Sequence, residues 1–289
     1  MPTKIDRDAL TGKTTTGHEW DGIKELNTPL PKWWLYVLYA TIAWSALWWL
    51  LYPSWPWLTG YFGGILGANQ RLELVERMAV AEATRAQYLE RIGAASLDEI
   101  AQDPELANFA LVGGAAAFAD NCAPCHGLGG AGQGFYPNLA DDAWIWGGTL
   151  DDIHTTILYG VRSDHEQTRL NEMPAFGALE MLGRDEISDV AEHVLALSGR
   201  SEDPEAAARG AQLFADQCTA CHGEQGEGLP ELGGPALADA IWQYGGTREE
   251  IIAQIQNPRH GVMPAWVGRL EPETIKILAT YVHALGGGQ

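Results

Sequence analysis

Two pentapeptides, Cys122-Ala123-Pro124-Cys125-His126 and Cys218-Thr219-Ala220-Cys221-His222, hold all four cysteines of the 289-residue chain. Two thiols three positions apart at a helix end can reach both vinyl groups of one porphyrin. The adjoining His then projects to the iron from one face. C-x-x-C-H is the c-type haem attachment signature, so the chain is expected to carry two covalently bound haem c groups. A thioredoxin-like C-x-x-C needs neither a following His nor a second copy. A four-Cys zinc module would have to close over the long stretch between Cys125 and Cys218. Disulfides are chemically permitted outside the cytoplasm, but two attached haems leave no cysteine over.

The sixth ligand is sought among the methionines, Met1, Met78, Met173, Met181 and Met263. Met173-Pro174-Ala175 and Met263-Pro264-Ala265 recur, 47 and 41 positions after His126 and His222. His126 with His222 and Met173 with Met263 therefore form the expected set of iron ligands. A His/Met pair raises the potential and leaves no open coordination position, which suits an electron carrier. Met181 has no counterpart and reads as a core residue. His260 is the rival ligand nearest to Met263; His154, His165, His193 and His283 do not recur in register. Whether each Met serves the haem of its own repeat or that of the neighbour stays open. Pro137 and Pro235 recur after the haem motifs. Either a carbonyl there accepts the axial His Nδ1–H, or the prolines only stiffen a loop. Trp144, Trp146, Trp242 and Tyr244 flank a repeated Gly-Gly-Thr and are expected to pack on porphyrin.

The elements that must position these residues are duplicated. Residues 114–122 match 210–218, residues 137–141 match 235–239, and residues 193–197 match 281–285. Helices are expected at about 111–121, 150–160 and 185–198, and again at 204–217, 248–256 and 271–285. Two copies are too few for a solenoid, so two tandem domains follow, 109–200 and 204–287, joined by an acidic Pro-containing stretch. Ahead of them, residues 53–108 read as a linker with helices. It contains a surface helix over Asn69 to Ile92 and a capping box at Ser96 to Glu99.

Trp33 to Leu51 contains no charged residue, and about 20 apolar residues cross the hydrocarbon layer as a helix. Aromatic residues crowd both ends, as at a membrane interface. Residues 33–52 are therefore expected to be one transmembrane helix, uncleaved because no small-residue cleavage site follows it. Lys4, Arg7, Lys13, Lys24 and Lys32 precede it and the first basic residue beyond it is Arg71. Residues 1–32 should thus be cytoplasmic and the haem domains periplasmic. The formal charge is −20, and residues 112–289 hold nine basic against 25 acidic side chains. Such a chain has no general means of holding phosphate backbones, which excludes nucleic acid as a partner.

The segment His18-Glu19-Trp20-Asp21-Gly22-Ile23-Lys24-Glu25-Leu26-Asn27-Thr28-Pro29-Leu30-Pro31, then Trp33-Trp34, one anchor and two haem c motifs resembles the CcoP (FixP) family of cbb3-type cytochrome c oxidase subunits. The resemblance covers nearly the whole chain, and the tail before the anchor is its specific part. It implies an all-α fold, with an N-terminal transmembrane helix followed by two tandem class I cytochrome c domains. It implies an inner-membrane, diheme electron-transfer subunit without an oxygen-reducing site of its own. The thioether cysteines would be Cys122, Cys125, Cys218 and Cys221. Electrons would arrive from donor c-type cytochromes and pass to the mono-haem c subunit, then to the haem b/copper catalytic subunit, which reduces oxygen and pumps protons. The tail would dock on the partner subunits. A free-standing membrane-anchored diheme carrier and a diheme peroxidase are the alternatives, and the peroxidase would need one exchangeable iron site. A haem-based sensor would need an output domain.

Overall fold

The structure is a computed structural model and describes residues 4–286. The first three residues of the expected cytoplasmic segment and residue 287 of the second repeat lie outside the described residues. The chain forms two compact units, residues 1–82 and 83–289.

The N-terminal unit starts with a hairpin of β1 (Thr15–Trp20) and β2 (Ile23–Leu26). Trp20 pairs with Ile23, so the turn is Asp21-Gly22. Both turn residues have positive φ, 50° and 82°, the backbone that an Asp-Gly turn between antiparallel strands adopts. Lys24 Nζ reaches Asp6 at 2.8 Å and Glu19 at 3.5 Å. Helix α1 (Lys32–Leu51) follows Pro31. Its 20 residues rise about 30 Å, and none is buried in the chain. That disposes of a soluble core helix and fits a lipid-facing span. A second hairpin, β3 (Pro56–Trp57) and β4 (Gly60–Tyr61), occupies the turn-rich exit. Behind it the Ile65 and Leu66 amides bond the last carbonyls of α1. The protein is thus mostly helical, and the all-α expectation is corrected by these two hairpins. The Asp-Gly pair was the signal for the first.

Helix α2 (Gln70–Ala94) bears out the helix read over Asn69 to Ile92. In the C-terminal unit, Lys276 Nζ donates to the carbonyls of Ile92, Gly93 and Ala95 at 2.7–3.1 Å, a cation satisfying a helix end. The Ser96–Glu99 capping box opens α3 (Leu97–Gln102). Asp103 ends α3 and caps α4 (Pro104–Asn121). That helix starts seven residues earlier than its periodicity indicated, because Asp103 with Pro104 at the first position is itself a start signal.

The repeat then builds the same parts twice. The Cys-His motifs form short helices, α5 (Ala123–His126) and α9 (Thr219–His222). Thr149 and Thr247 cap α6 (Leu150–Tyr159) and α10 (Arg248–Gln256), each accepting from an amide three residues on. Asp203 and Pro204 open α8 (Pro204–Gln217) as Asp103 and Pro104 open α4. The remaining helices are α7 (Arg184–Leu197) and α11 (Pro272–His283).

The packing does not follow the repeat. One core joins Phe176, Ile187, Val190, Val194 and Leu195 to Phe214, Ile251 and Ile255. The other joins Phe118, Ile153 and Ile157 to Ile275, Leu278, Ala279 and Val282. Each core combines the first half of one repeat with the second half of the other. Glycines make the close crossings. A Cβ at Gly210 of α8 would overlap the Asp189 carbonyl of α7, and one at Gly114 of α4 would overlap the Tyr281 side chain of α11.

Candidate functional site

Each candidate site begins with a Cys-x-x-Cys-His turn at the end of a long helix. The Cys122 and Cys218 amides donate the preceding helix's last bonds to the Phe118 and Phe214 carbonyls, at 2.8 and 2.9 Å. The side chains of Phe118 and Phe214 are fully buried, so the start of each motif is anchored in its core. Burial, then the neighbouring Cys, pushes the Cys122 and Cys218 thiols up to about 11. Neither thiol is an activated thiolate near neutrality, which disfavours the redox-thiol reading.

His126 Nδ1 lies 3.1 Å from the Pro137 carbonyl, and His222 Nδ1 lies 2.9 Å from the Pro235 carbonyl. A carbonyl can only accept, so each Nδ1 carries the proton and each Nε2 keeps its lone pair free. Of the two readings of these prolines, the carbonyl acceptor is the one realised. Burial holds both imidazoles below their usual pKa, against the opposing effect of the carbonyl bond. The rings are therefore neutral donors of fixed tautomer, as metal-ligating His requires.

The methionines lie across the repeat. Met263 packs on the core that contains Cys122, Ala123 and Trp144. Met173 packs on the core that contains Cys218, Leu237 and Trp242. Two reciprocal backbone bonds between Val161 and Met263, 3.0 and 2.9 Å, tie the second repeat's Met loop to the end of α6. The Ala178 amide bonds the Gln256 carbonyl at the end of α10, 3.0 Å away. Met181 is 50% exposed, which corrects its reading as a core residue. His260 is exposed. His193 lies with its ring 5.0 Å from Phe214.

The aromatic residues divide in two. Trp144 and Trp242 pack at the margins of the cores. Trp146 instead packs against Gly233 in the other repeat, under the Arg169 guanidinium. Tyr244 meets Phe135 with ring centres 5.9 Å apart, and Gln243 donates to the Phe135 carbonyl at 2.7 Å. These contacts knit the two Cys-His loops together. Between them lies a cleft of about 520 Å³ lined by both. Trp242 borders this cleft, and its Nε1 is a buried donor without a hydrogen-bond partner. A haem carboxylate would satisfy it, so the residues present fit haem c by thiol spacing, imidazole tautomer, soft sulfur donors and an orphan donor.

This combination of small helical modules and repeated Cys-His turns defines a c-type cytochrome. Residues 110–194 and 205–282 match the family model described as cytochrome c oxidase, cbb3-type, subunit III. Residues 12–59 match that of the N-terminal domain of cytochrome oxidase-cbb3, FixP. The chain is 49% identical over its full length to all of the cbb3-type cytochrome c oxidase subunit FixP of Bradyrhizobium diazoefficiens. It is 50% identical to FixP of Azorhizobium caulinodans, covering 98% of this chain and 96% of that one. It is 48% identical to subunit CcoP of Azospirillum brasilense, covering 98% and 99%. The chain belongs to the FixP/CcoP family and is a cytochrome c electron-transfer subunit of cbb3-type oxidase.

Proposed function

We propose that the chain carries two haem c groups with crossed axial ligation. Cys122 and Cys125 would hold the first, with His126 and Met263 as its iron ligands. Cys218 and Cys221 hold the second, with His222 and Met173. The observation that carries the pairing is the partition of the cores, since Met263 shares one with Cys122 and Met173 the other with Cys218. Bound haem supplies a one-electron iron couple. The polypeptide fixes the imidazole tautomer through Pro137 and Pro235, supplies sulfur opposite each ring and keeps both loops in mutual contact. Two His/Met sets leave no exchangeable position, which favours a carrier over a peroxidase.

Residues 1–32 lie in the cytoplasm, α1 spans the inner membrane, and the linker and both cytochrome modules, 109–200 and 204–287 by sequence, lie in the periplasm. The excess of basic residues before the span supports this orientation. The chain takes electrons from donor c-type cytochromes. It delivers them to the mono-haem c subunit, which passes them to the haem b/copper catalytic subunit.

The crossed pairing is tested in a Cys122→Ala/Cys125→Ala chain, which retains one attachment motif. There Met173→Ala should abolish the weak Met-to-iron absorption band while Met263→Ala leaves it. The opposite result would establish ligation within each repeat. Co-purification with haem b and copper in mild detergent tests the assembly.

A further inference from the structure

We infer that Arg162 is a positioning residue that holds both methionine loops at once, so that the two axial sites are set by one side chain. Its Nε donates to the Gly261 carbonyl at 2.6 Å, and its Nη1 donates to the Asn171 carbonyl at 2.9 Å. Gly261 stands two residues before Met263 and Asn171 two before Met173. The two acceptors therefore occupy equivalent places in the two repeats. A guanidinium can serve both because its donors diverge from a rigid plane.

The backbone around Arg162 is built to aim it. Its φ is +49°, a left-handed conformation uncommon for a residue with a Cβ and usually maintained by its surroundings. Here the surroundings are specific. The Arg162 amide donates to the Arg169 carbonyl at 2.9 Å, and the Arg169 amide returns to the Gly160 carbonyl at 3.0 Å. The Thr168 hydroxyl accepts from the Ser163 amide at 2.9 Å. The preceding residue, Val161, makes the reciprocal bonds to Met263. This bracket belongs to the first repeat alone. From Thr149 to Met173 the chain takes 24 steps, and from Thr247 to Met263 it takes 16. Nearly all of the extra length lies after α6, where the bracket is formed. Asn171 extends the link, its Nδ2 donating to the Leu232 carbonyl in the loop that follows the second Cys-His motif.

The inference rests on the ligand reading above, and its test separates the two. In the reduced full-length protein with both haems, each axial methionine gives its own shifted methyl resonance. Met173→Ala and Met263→Ala should each remove one and thereby assign them. Arg162→Ala should broaden or displace both, weaken the Met-to-iron band of both oxidised haems, and speed amide exchange in residues 161–173 and 257–265 together. Arg162→Lys keeps the charge but not the diverging donors, and should also weaken both, to a smaller extent. If Arg162→Ala does not acquire haem, the Lys variant decides. A change at only one methionine in either variant, or both signals at full strength in Lys, overturns the clamp. If Met173→Ala and Met263→Ala leave both resonances in place, the ligand assignment falls instead.

Discussion

At the residue scale the chemistry is set by a few atoms whose freedom has been removed. His126 and His222 each give Nδ1–H to a proline carbonyl, leaving Nε2 as the only nitrogen able to ligate. Met173 and Met263 are the sulfurs of the proposed ligand set, while Met181 stands exposed. Replacing Met173 or Met263 by alanine should lower the potential of one haem, because a soft thioether favours the reduced iron. Met181→Leu should leave both potentials unchanged in the same redox titration. Phe118 and Phe214 sit at the root of the two Cys-His turns and are fully buried. Truncating either to alanine should remove about 3–5 kcal/mol of stability, measured by denaturant unfolding, and reduce haem incorporation at the adjoining motif.

At the element scale the pairing of helices is written in charges. Helix α7 presents Asp189 and Glu192, which meet Arg209 of α8 and Arg248 of α10 at 2.7 and 2.6 Å. The repeat counterparts of these four residues are Ile277, Thr280, Gly113 and Leu150. Ile277 approaches Gly113 in the other module, and Leu150 packs on its core. Pairing within each repeat would set Glu192 against Leu150 and Arg248 against Thr280, leaving a buried carboxylate unmatched. Arg248→Glu should therefore lower the unfolding midpoint by several degrees, and Arg248→Glu with Glu192→Arg should recover part of it. Burial opposes the Glu192 charge, but hydrogen bonds from Ser201 and Arg248 outweigh it and hold the carboxyl below its usual range. A depressed carboxylate stabilises the fold above its unfolded value, near 4.5. That contribution is lost as pH falls through the folded value. Glu192→Gln should flatten this acid-side loss in pH-dependent thermal unfolding.

At the scale of the whole molecule, the charge lies mainly on the haem-bearing part, with nine basic and 25 acidic side chains in residues 112–289. A negative field of this kind speeds encounter with a basic donor and fades as salt shortens the Debye length. Stopped-flow reduction by a small basic cytochrome c should slow markedly between low and high ionic strength. A rate that is flat or rises with salt would assign docking to apolar contact. The anchor gives a separate prediction. A periplasm-dependent reporter fused at the C-terminus should be active, and one fused just before Lys32 should be silent.

The sequence alone determined the local parts, since each is encoded by neighbouring residues. The Cys-x-x-Cys-His spacing named the cofactor chemistry, the uncharged stretch marked the helix that fits a membrane anchor, and the duplicated Met-Pro-Ala offered the sulfurs of the proposed ligand set. Helix ends were legible where a cap stood beside the first turn, as at Ser96 and Asp203. The Asp21-Gly22 hairpin was equally local and equally legible, but it lay inside a segment read for its resemblance rather than for its turn residues. What only the tertiary structure decided was which half packs with which. Both second halves share the buried apolar positions Ile187/Ile275, Val190/Leu278, Ala191/Ala279 and Val194/Val282, and these fit either arrangement. The choice lies in long-range matches such as Glu192 with Arg248 and Gly113 with Ile277. Arg162 shows the same limit, since its two acceptors stand nine and 99 positions away in sequence and become neighbours only once the halves have crossed.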